Sequence, residues 1–373
     1  MIKRVLIIGG YGTFGSLIAR SLAQHPQIQL IIAGRSAERA NAFIQTLSTH
    51  HTAETAIGDI NANPDDLIQS TKPDIVIHTS GPFQEQNYAV AESCIRHSCH
   101  YLDLADGRDF VSCISDLDAK AKAAGVLIVS GASSVPALTS AVIDRYKDSF
   151  DTLDSVDYAI TTAQKTMLGL ATTKGVLSYA GKPFTTAIDG RIKIIYGWQG
   201  LKLRYFRKLG WRFLGYCDIP DLSLFPRYYP QLKTIRFYAG AEFSFVHLGL
   251  WCMTWLVRLK LIRSLADWAE SLLNISRWLD YFSSNKSGFY MQMEGHDKNN
   301  KRQCMIFDIA ARNGEGMNIP TIPAILLATR LAEGTLTQTG ATPCIGLIGL
   351  DDYLDALKHY QIDWSVKQYP EKS

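Results

Sequence analysis

Several patterns are missing from this 373-residue sequence, and each omission removes a class of protein. Its seven cysteines are odd in number and never form a CxxC pair, which speaks against a disulfide scaffold and a paired-cysteine zinc site. The start, MIKRVLIIGG, passes straight into an apolar strand pattern without a signal-peptide layout, so a reducing compartment, the cytoplasm, is expected. GxSxG is absent, which removes the usual serine hydrolase. No internal repeat or low-complexity tract is present, so solenoids and disordered tails are set aside. The stretch Phe243 to Val257 has no Asp, Glu, Lys or Arg, but it falls short of the roughly 20 residues needed to span a bilayer.

What is there is an ordinary globular composition, 47% hydrophobic and 20% charged, in a chain long enough for about two domains. The net charge of +3 is unevenly spread. Residues 151–315 hold 22 Lys and Arg against 14 Asp and Glu, while both flanks carry a surplus of acid. Such asymmetry can mark a surface for an anionic partner: a cofactor phosphate, an acidic substrate or a lipid headgroup.

The first 135 residues alternate short apolar runs (VLIIGG, LIIAGR, DIVIHT, VLIVSGA) with helical patterns. That alternation predicts an α/β Rossmann domain, a doubly wound parallel sheet covered on both faces, over residues 1–145. From Asp154 the period changes to DSVDYAIT, RIKIIYGW, FYMQMEG and RQCMIFDIAAR, which predicts an inserted α+β domain with a mixed or antiparallel sheet over 146–315. Residues 316–373 read as a helical segment packing back on the first domain, with Gln368 to Ser373 loose.

The strongest motif is Gly10-Tyr11-Gly12-Thr13-Phe14-Gly15, placed between the strand VLII and the helix SLIARSLAQ. Glycine allows the tight turn, the approach of a pyrophosphate to backbone and the close seating of helix on strand, while the free amides of the helix start hold the phosphates. The second strand ends Ala33-Gly34-Arg35-Ser36 where an NAD-binding domain carries an acid. Arg35 and Ser36, with Arg39 one turn on, therefore point to the 2′-phosphate of NADP, against the plainer alternative of a solvated strand end. Asp59 follows the third strand and is a candidate for the adenine amino group or for a simple cap. Ser80, Gly81 and Pro82 follow the fourth strand, where they would shape backbone beside the nicotinamide ribose or make an ordinary turn.

These segments, together with TSGPFQEQNYAVAESCIRHSCHYLDLADGRDF and GASSVPALTSAVID, resemble the saccharopine dehydrogenase-like superfamily, including its trans-acting enoyl reductases. The likeness continues through GLATTKGVLSYAGKPF and TIPAILLATRLAEG. It implies an NADPH-dependent oxidoreductase acting on a small or lipid-like substrate, and by analogy to relatives a homodimer through the second sheet. The cationic groups that would hold an amino-acid carboxylate have no residue-by-residue counterpart here.

Hydride transfer needs geometry, exclusion of water and one group that can exchange a proton. Tyr101, Asp103 and Asp106 on CHYLDLADG are the catalytic candidates, since strand alternation brings polar groups toward the cofactor edge; the alternative is a Tyr101 packed in the sheet and an Asp106 in a turn. The cluster Cys94, His97, Cys99, His100 matches no usual zinc spacing, so no metal is expected. The basic aromatic stretch Leu201–Tyr216 lacks a nucleic-acid fold around it, so nucleic acid is not expected as a partner. Beside the apolar Phe243–Val257 stretch, it gives two signals for peripheral membrane contact. Core helix and substrate-pocket wall remain alternatives for that stretch. The competing function is a non-catalytic NADPH-binding sensor or scaffold.

Overall fold

The computed structural model describes residues 1–165 and 170–370. They form two compact units, Met1–Ser140 with Asn318–Tyr353, and Ala141–Met317 with the chain from Leu354 onward.

In the first unit β1 (Lys3–Ile8), β2 (Ile28–Gly34), β3 (Glu54–Ile57), β4 (Ile75–His78), β5 (His100–Asp103) and β6 (Leu127–Ser130) take turns with helices. The helices are α1 (Thr13–Leu22), α2 (Ala37–Ile44), α3 (Pro64–Thr71), α4 (Ala89–Arg96), α5 (Arg108–Ser112) and α6 (Asp118–Ala123). A strand covered on both faces has no wet side, so β4 (IVIH) and β6 (LIVS) are buried at every position.

α7 (Thr139–Tyr146) leads into the second unit, which holds β7 (Thr152–Thr161), α8 (Leu170–Ser178), β8 (Pro183–Ile188), β9 (Arg191–Tyr196), β10 (Lys202–Phe206) and β11 (Gly210–Tyr216). α9 (Asp221–Tyr228), β12 (Thr234–Gly240), α10 (Ser244–Arg258), α11 (Ala269–Ser276), β13 (Ser287–His296) and β14 (Arg302–Ala311) follow. The chain then returns with α12 (Ile322–Glu333) and β15 (Gly340–Pro343), and α13 (Leu350–Leu357) leads to β16 (Ile362–Pro370).

The first sheet has the order β15-β6-β5-β4-β1-β2-β3, with every pair parallel. Strand order reverses beside β1, and open α/β sheets bind ligands at the carboxyl edge of such a switch point. The second sheet has the order β10-β11-β12-β7-β13-β14-β16 and is mixed, with β12 and β7 parallel and the other pairs antiparallel. The doubly wound sheet plus second mixed sheet expected from the sequence is the fold observed.

The tail departs from expectation. Residues 318–353 belong with the first sheet, but β16 pairs along β14 from Ile362↔Ala311 to Pro370↔Gln303 and completes the second. Gln368 is therefore a paired strand residue; residues 371–373 lie outside those described. The stretch IDWSVKQYP misled because its short alternating pattern sits beside a strong helical one, and its partner strand lies far away in sequence.

The basic stretch is also differently used: it is the hairpin β10–β11, and most of its cations are spent inside its own unit. Lys202 pairs with Asp157 at 2.6 Å, Arg207 with Asp308 at 2.6 Å and Lys208 with Asp363 at 2.6 Å, while Arg204 donates to Gln292 at 2.9 Å. The acid partners are invisible to a local reading, since they stand on β7, β14 and β16. On α10 only His247, Thr254 and Val257 are buried, so this helix is not the core helix its composition suggests. No helix is long and apolar enough to cross a membrane.

Glycine on α1 illustrates the tightness of the first unit. A Cβ on Gly15 would lie 2.2 Å from the Gly9 carbonyl oxygen, whereas one on Gly249 of α10 would meet nothing within 4 Å. Alanine in place of helical glycine ordinarily stabilises by roughly 0.5–1 kcal/mol. We expect Gly249→Ala to follow that rule and Gly15→Ala to reverse it, with a loss of about 1–3 kcal/mol from overpacking against backbone. Urea denaturation of the two variants checks both signs; a stabilised Gly15→Ala would show that α1 is free to shift.

Candidate cofactor site

The turn between β1 and α1 is built from glycine for separable reasons. Gly9 has φ +77°, and a side chain there would strike Ser80 Oγ and Thr79 Oγ1. A Cβ on Gly10 would sit 2.9 Å from the Ile7 carbonyl oxygen, and on Gly15 it would strike the Gly9 carbonyl. Gly12 differs: the neighbour within 4 Å of its Cβ is the Gly9 carbonyl alone, so space lies open beyond it. Gly12 is also the N-cap of α1, and no side chain caps it. The first-turn amides of Thr13, Phe14 and Gly15 thus have neither an intrahelical acceptor nor a cap. An uncapped helix start facing open space is what a pyrophosphate requires.

At the end of β2, Arg35 is exposed, and its guanidinium has no hydrogen bond or ion pair among the described residues. Ser36 is the N-cap of α2, its hydroxyl accepting from the Arg39 amide at 3.3 Å, so its proton is left to donate elsewhere. Tyr11 ties this corner to the glycine turn. Its hydroxyl accepts from the Ser36 amide at 3.0 Å, the Arg39 guanidinium lies 4.9 Å from its ring centroid, and its ring fills the space where a Gly34 side chain would stand. Sequence reading passed over Tyr11, although an aromatic inside the glycine motif with glycine at the end of the next strand is a usable signal.

Residues 79–83 leave β4 at the same sheet edge. Thr79 Oγ1 donates to the Ile8 carbonyl at 2.9 Å, which locks this loop to β1. Gln86 Nε2 donates to the carbonyls of Ser80 at 2.7 Å and Pro82 at 3.0 Å, clamping Ser80-Gly81-Pro82 from below. The rings of His78, Phe83, Phe110 and Tyr88 follow one another in edge-on and tilted contacts at centroid distances of 5.0, 5.4 and 4.9 Å. Thr79 and Gln86 were not identified from sequence, since a Thr or Gln in a loop carries no pattern. Asp59 is not the cap of the next helix: its Oδ1 accepts from the Asn61 amide at 3.0 Å within the turn, and Asn63 caps α3.

The three catalytic candidates separate sharply by depth. Tyr101 is 1% exposed and lies in the apolar layer with Val90, Cys94 and Ile128, its hydroxyl 3.1 Å from His78 Nδ1. Asp103 is fully buried and pins strand ends together: Oδ1 accepts from the amides of Ala105 at 2.9 Å and Gly131 at 2.8 Å and from Ser130 Oγ at 3.0 Å. Strand alternation expected these polar groups near the cofactor edge, whereas a central parallel strand has helices over both faces and both side chains are buried. Asp106, past the strand end, is half-buried; Gln84 Nε2 donates to its Oδ1 at 3.0 Å, and burial raises its carboxyl above the usual range.

Burial pushes the Asp103 carboxyl up to about 6, the three donors offsetting only part of the cost, and pushes the His78 imidazole down to about 4. His78 is therefore neutral at physiological pH.

Residues 5–129 match the family model of the saccharopine dehydrogenase NADP binding domain. Over those residues the chain is similar to that domain, and the match spans β1 to β6 of the first sheet. Its cofactor is accordingly of the NADP type. A comparison with curated proteins gave no match. Among solved structures, apo saccharopine dehydrogenase (L-Glu forming) from Saccharomyces cerevisiae is similar over 98% of this chain and 100% of its own, with 15% identity and a TM-score of 0.68. A meso-dapdh variant from Clostridium tetani aligns over 95% of this chain and 98% of its own at 12% identity and a TM-score of 0.44. GenD2 from gentamicin A biosynthesis aligns over 100% and 97% at 12% identity and 0.43. The yeast likeness establishes a shared fold and says nothing of the substrate taken by this chain.

Tyr101→Phe should act on stability rather than on the site. Losing the hydroxyl leaves buried His78 Nδ1 without its partner, at a cost of about 1–3 kcal/mol. NADPH affinity should stay within about twofold, since Tyr101 is not at the surface of the cradle. For Asp103, a carboxyl raised in the fold contributes stability that is present below the unfolded value near 3.8 and lost as pH rises through about 6. Relative to Asp103→Asn, the parent should lose about 3 kcal/mol between those limits. Chemical denaturation of parent and variants across this range checks both; a pH-independent difference would mean that Asp103 stays ionised throughout.

Proposed function

We propose that the protein uses NADPH to reduce a C=N, C=O or activated C=C bond of a small or lipid-like substrate. The observation that carries the reading is the uncapped glycine turn beside an unpaired Arg35 at the end of β2. In this reading Gly10 and Gly12 clear space for the pyrophosphate, and the amides of Thr13, Phe14 and Gly15 hold it. Arg35 and Ser36 bind the 2′-phosphate, with Arg39 and Tyr11 fixing the corner. The clamped Ser80-Gly81-Pro82 backbone lines the nicotinamide ribose. Bound NADPH supplies the hydride. Asp106, with its raised carboxyl at the loop beyond β5, is the proton-exchanging group favoured over Tyr101 and Asp103, whose burial suits positioning instead.

The test is cofactor binding followed by consumption. NADPH should bind more tightly than NADH, and Arg35→Ala should weaken NADPH by about tenfold or more while leaving NADH little changed, since it removes a charge-assisted contact. Gly12→Val should abolish binding of both and leave the fold intact. Equal affinities for the two cofactors in the parent would overturn the 2′-phosphate assignment. Binding without oxidation across imine, carbonyl and enoyl substrates would favour the sensor reading over the reductase.

A second reading, peripheral contact with a membrane, is favoured by the exposed apolar residues after α10 and α11. Leu259 and Leu261 stand beside exposed Lys260 and Arg263, and Trp278 and Tyr281 are 85% and 89% exposed. Because the β10–β11 cations are internally paired, attraction to anionic lipid falls to these few groups. Flotation with anionic and neutral vesicles should show weak binding that high salt reverses. Recovery of all protein in the soluble fraction under every condition would dismiss it.

A further inference from the structure

α10 carries a long uncharged apolar sequence, yet little of it is buried, and what it faces explains the discrepancy. A cavity of about 380 Å³ lies in the second unit, at the ends of the parallel pair β7 and β12. Its walls come from α8, α10 and α11, with Val246, Leu250, Met253 and Leu272 among the lining residues. That volume falls in the roughly 300–1,000 Å³ range of small-molecule sites. A wall dominated by such apolar side chains suits an alkyl chain.

Two polar atoms in this wall are left without partners. Trp198 is 6% exposed and its indole Nε1 makes no hydrogen bond, and the Thr173 hydroxyl is likewise buried and unpaired. Both residues line the cavity. Buried donors are normally satisfied, so two of them in one wall point to an oxygen acceptor brought by a ligand. The charge in the lining selects which oxygen. Glu242 accepts at one oxygen from the Gln164 amide and Ser283 Oγ, both at 2.7 Å, and at the other from the Ser284 amide at 2.7 Å. These donors hold its carboxyl below the usual range although burial acts the other way, so the wall carries a fixed negative charge. A carboxylate entering beside it would be repelled.

We propose that this cavity is a binding site for an elongated apolar molecule ending in an uncharged oxygen group, such as an aliphatic alcohol, aldehyde or ketone. The proposal goes beyond the reductase reading and does not depend on it, because the site lies wholly within the second unit and its occupancy is assayed without cofactor or turnover.

Gly249 gives the decisive variant. It lines the cavity, and a Cβ there meets nothing within 4 Å, so a large side chain grows into the empty space without striking backbone. The probe is the neutral dye N-phenyl-1-naphthylamine, whose fluorescence rises in apolar surroundings, titrated into the full chain and displaced by dodecanol or by ionised dodecanoate. Dodecanol should displace the dye at least about tenfold more effectively than dodecanoate, the size of a modest like-charge penalty. Gly249→Phe should weaken the dye by about tenfold or more with an unchanged melting temperature, since it fills the site. Trp198→Phe keeps the ring and removes the donor, so it should weaken dodecanol and leave the dye unaffected; it serves if Gly249→Phe fails to fold. Dye binding that is unaltered by Gly249→Phe would place the dye on the exposed apolar surface and overturn the proposal. Equal displacement by alcohol and carboxylate would overturn the selection for an uncharged end.

Discussion

The carbonyl of Gly9 is the point on which the first unit turns. It accepts the Gly12 amide at 2.8 Å, lies against the place where a Gly15 side chain would be, and closes one side of Gly12. This single group brings the start of α1 against the end of β1 closely enough that only backbone fits between them. The amides at the head of α1 are then left facing outward with no partner, and a helix start left in that state is an anion site by default. Tyr11, held within the same turn, carries the constraint on to β2 and fixes where Arg35 and Ser36 begin.

Polar groups in this unit divide into those that hold the sheet and those that stand past the strand ends. His78, Tyr101 and Asp103 belong to the first kind: each sits at or near a strand end, out of contact with water, and Asp103 alone joins the ends of β5 and β6 through Ser130 and Gly131. Low dielectric makes such bonds strong and their loss expensive. Arg35, Ser36 and Asp106 belong to the second kind, in loops that are free to vary without disturbing the core. Polar character alone does not distinguish the two kinds; depth does.

In the second unit the same separation acts on charge and apolar surface. Three cations of the β10–β11 hairpin, Lys202, Arg207 and Lys208, are paired with acids on β7, β14 and β16 and act as internal glue. The apolar excess on α10, by contrast, is not consumed by the core and encloses a cavity instead.

Strand and helix alternation, the glycine turn and the missing acid after β2 were legible in the sequence, because each is a local demand: a period of residues, a φ angle, a charge within a few residues of a strand end. Those features by themselves determined the Rossmann sheet, its NADP-type cradle and the existence of a second mixed sheet. Tertiary structure alone decided the rest. It placed β16 with the second sheet through pairing with a strand about 50 residues earlier in the chain. It buried Tyr101 and Asp103 because helices cover both faces of β5, gave the basic hairpin its acids from three other strands, and set α10 along a cavity where the sequence left core, pocket wall and membrane contact open. All four depend on what lies across from a residue in space, and burial and pairing partners are properties that a linear pattern does not contain.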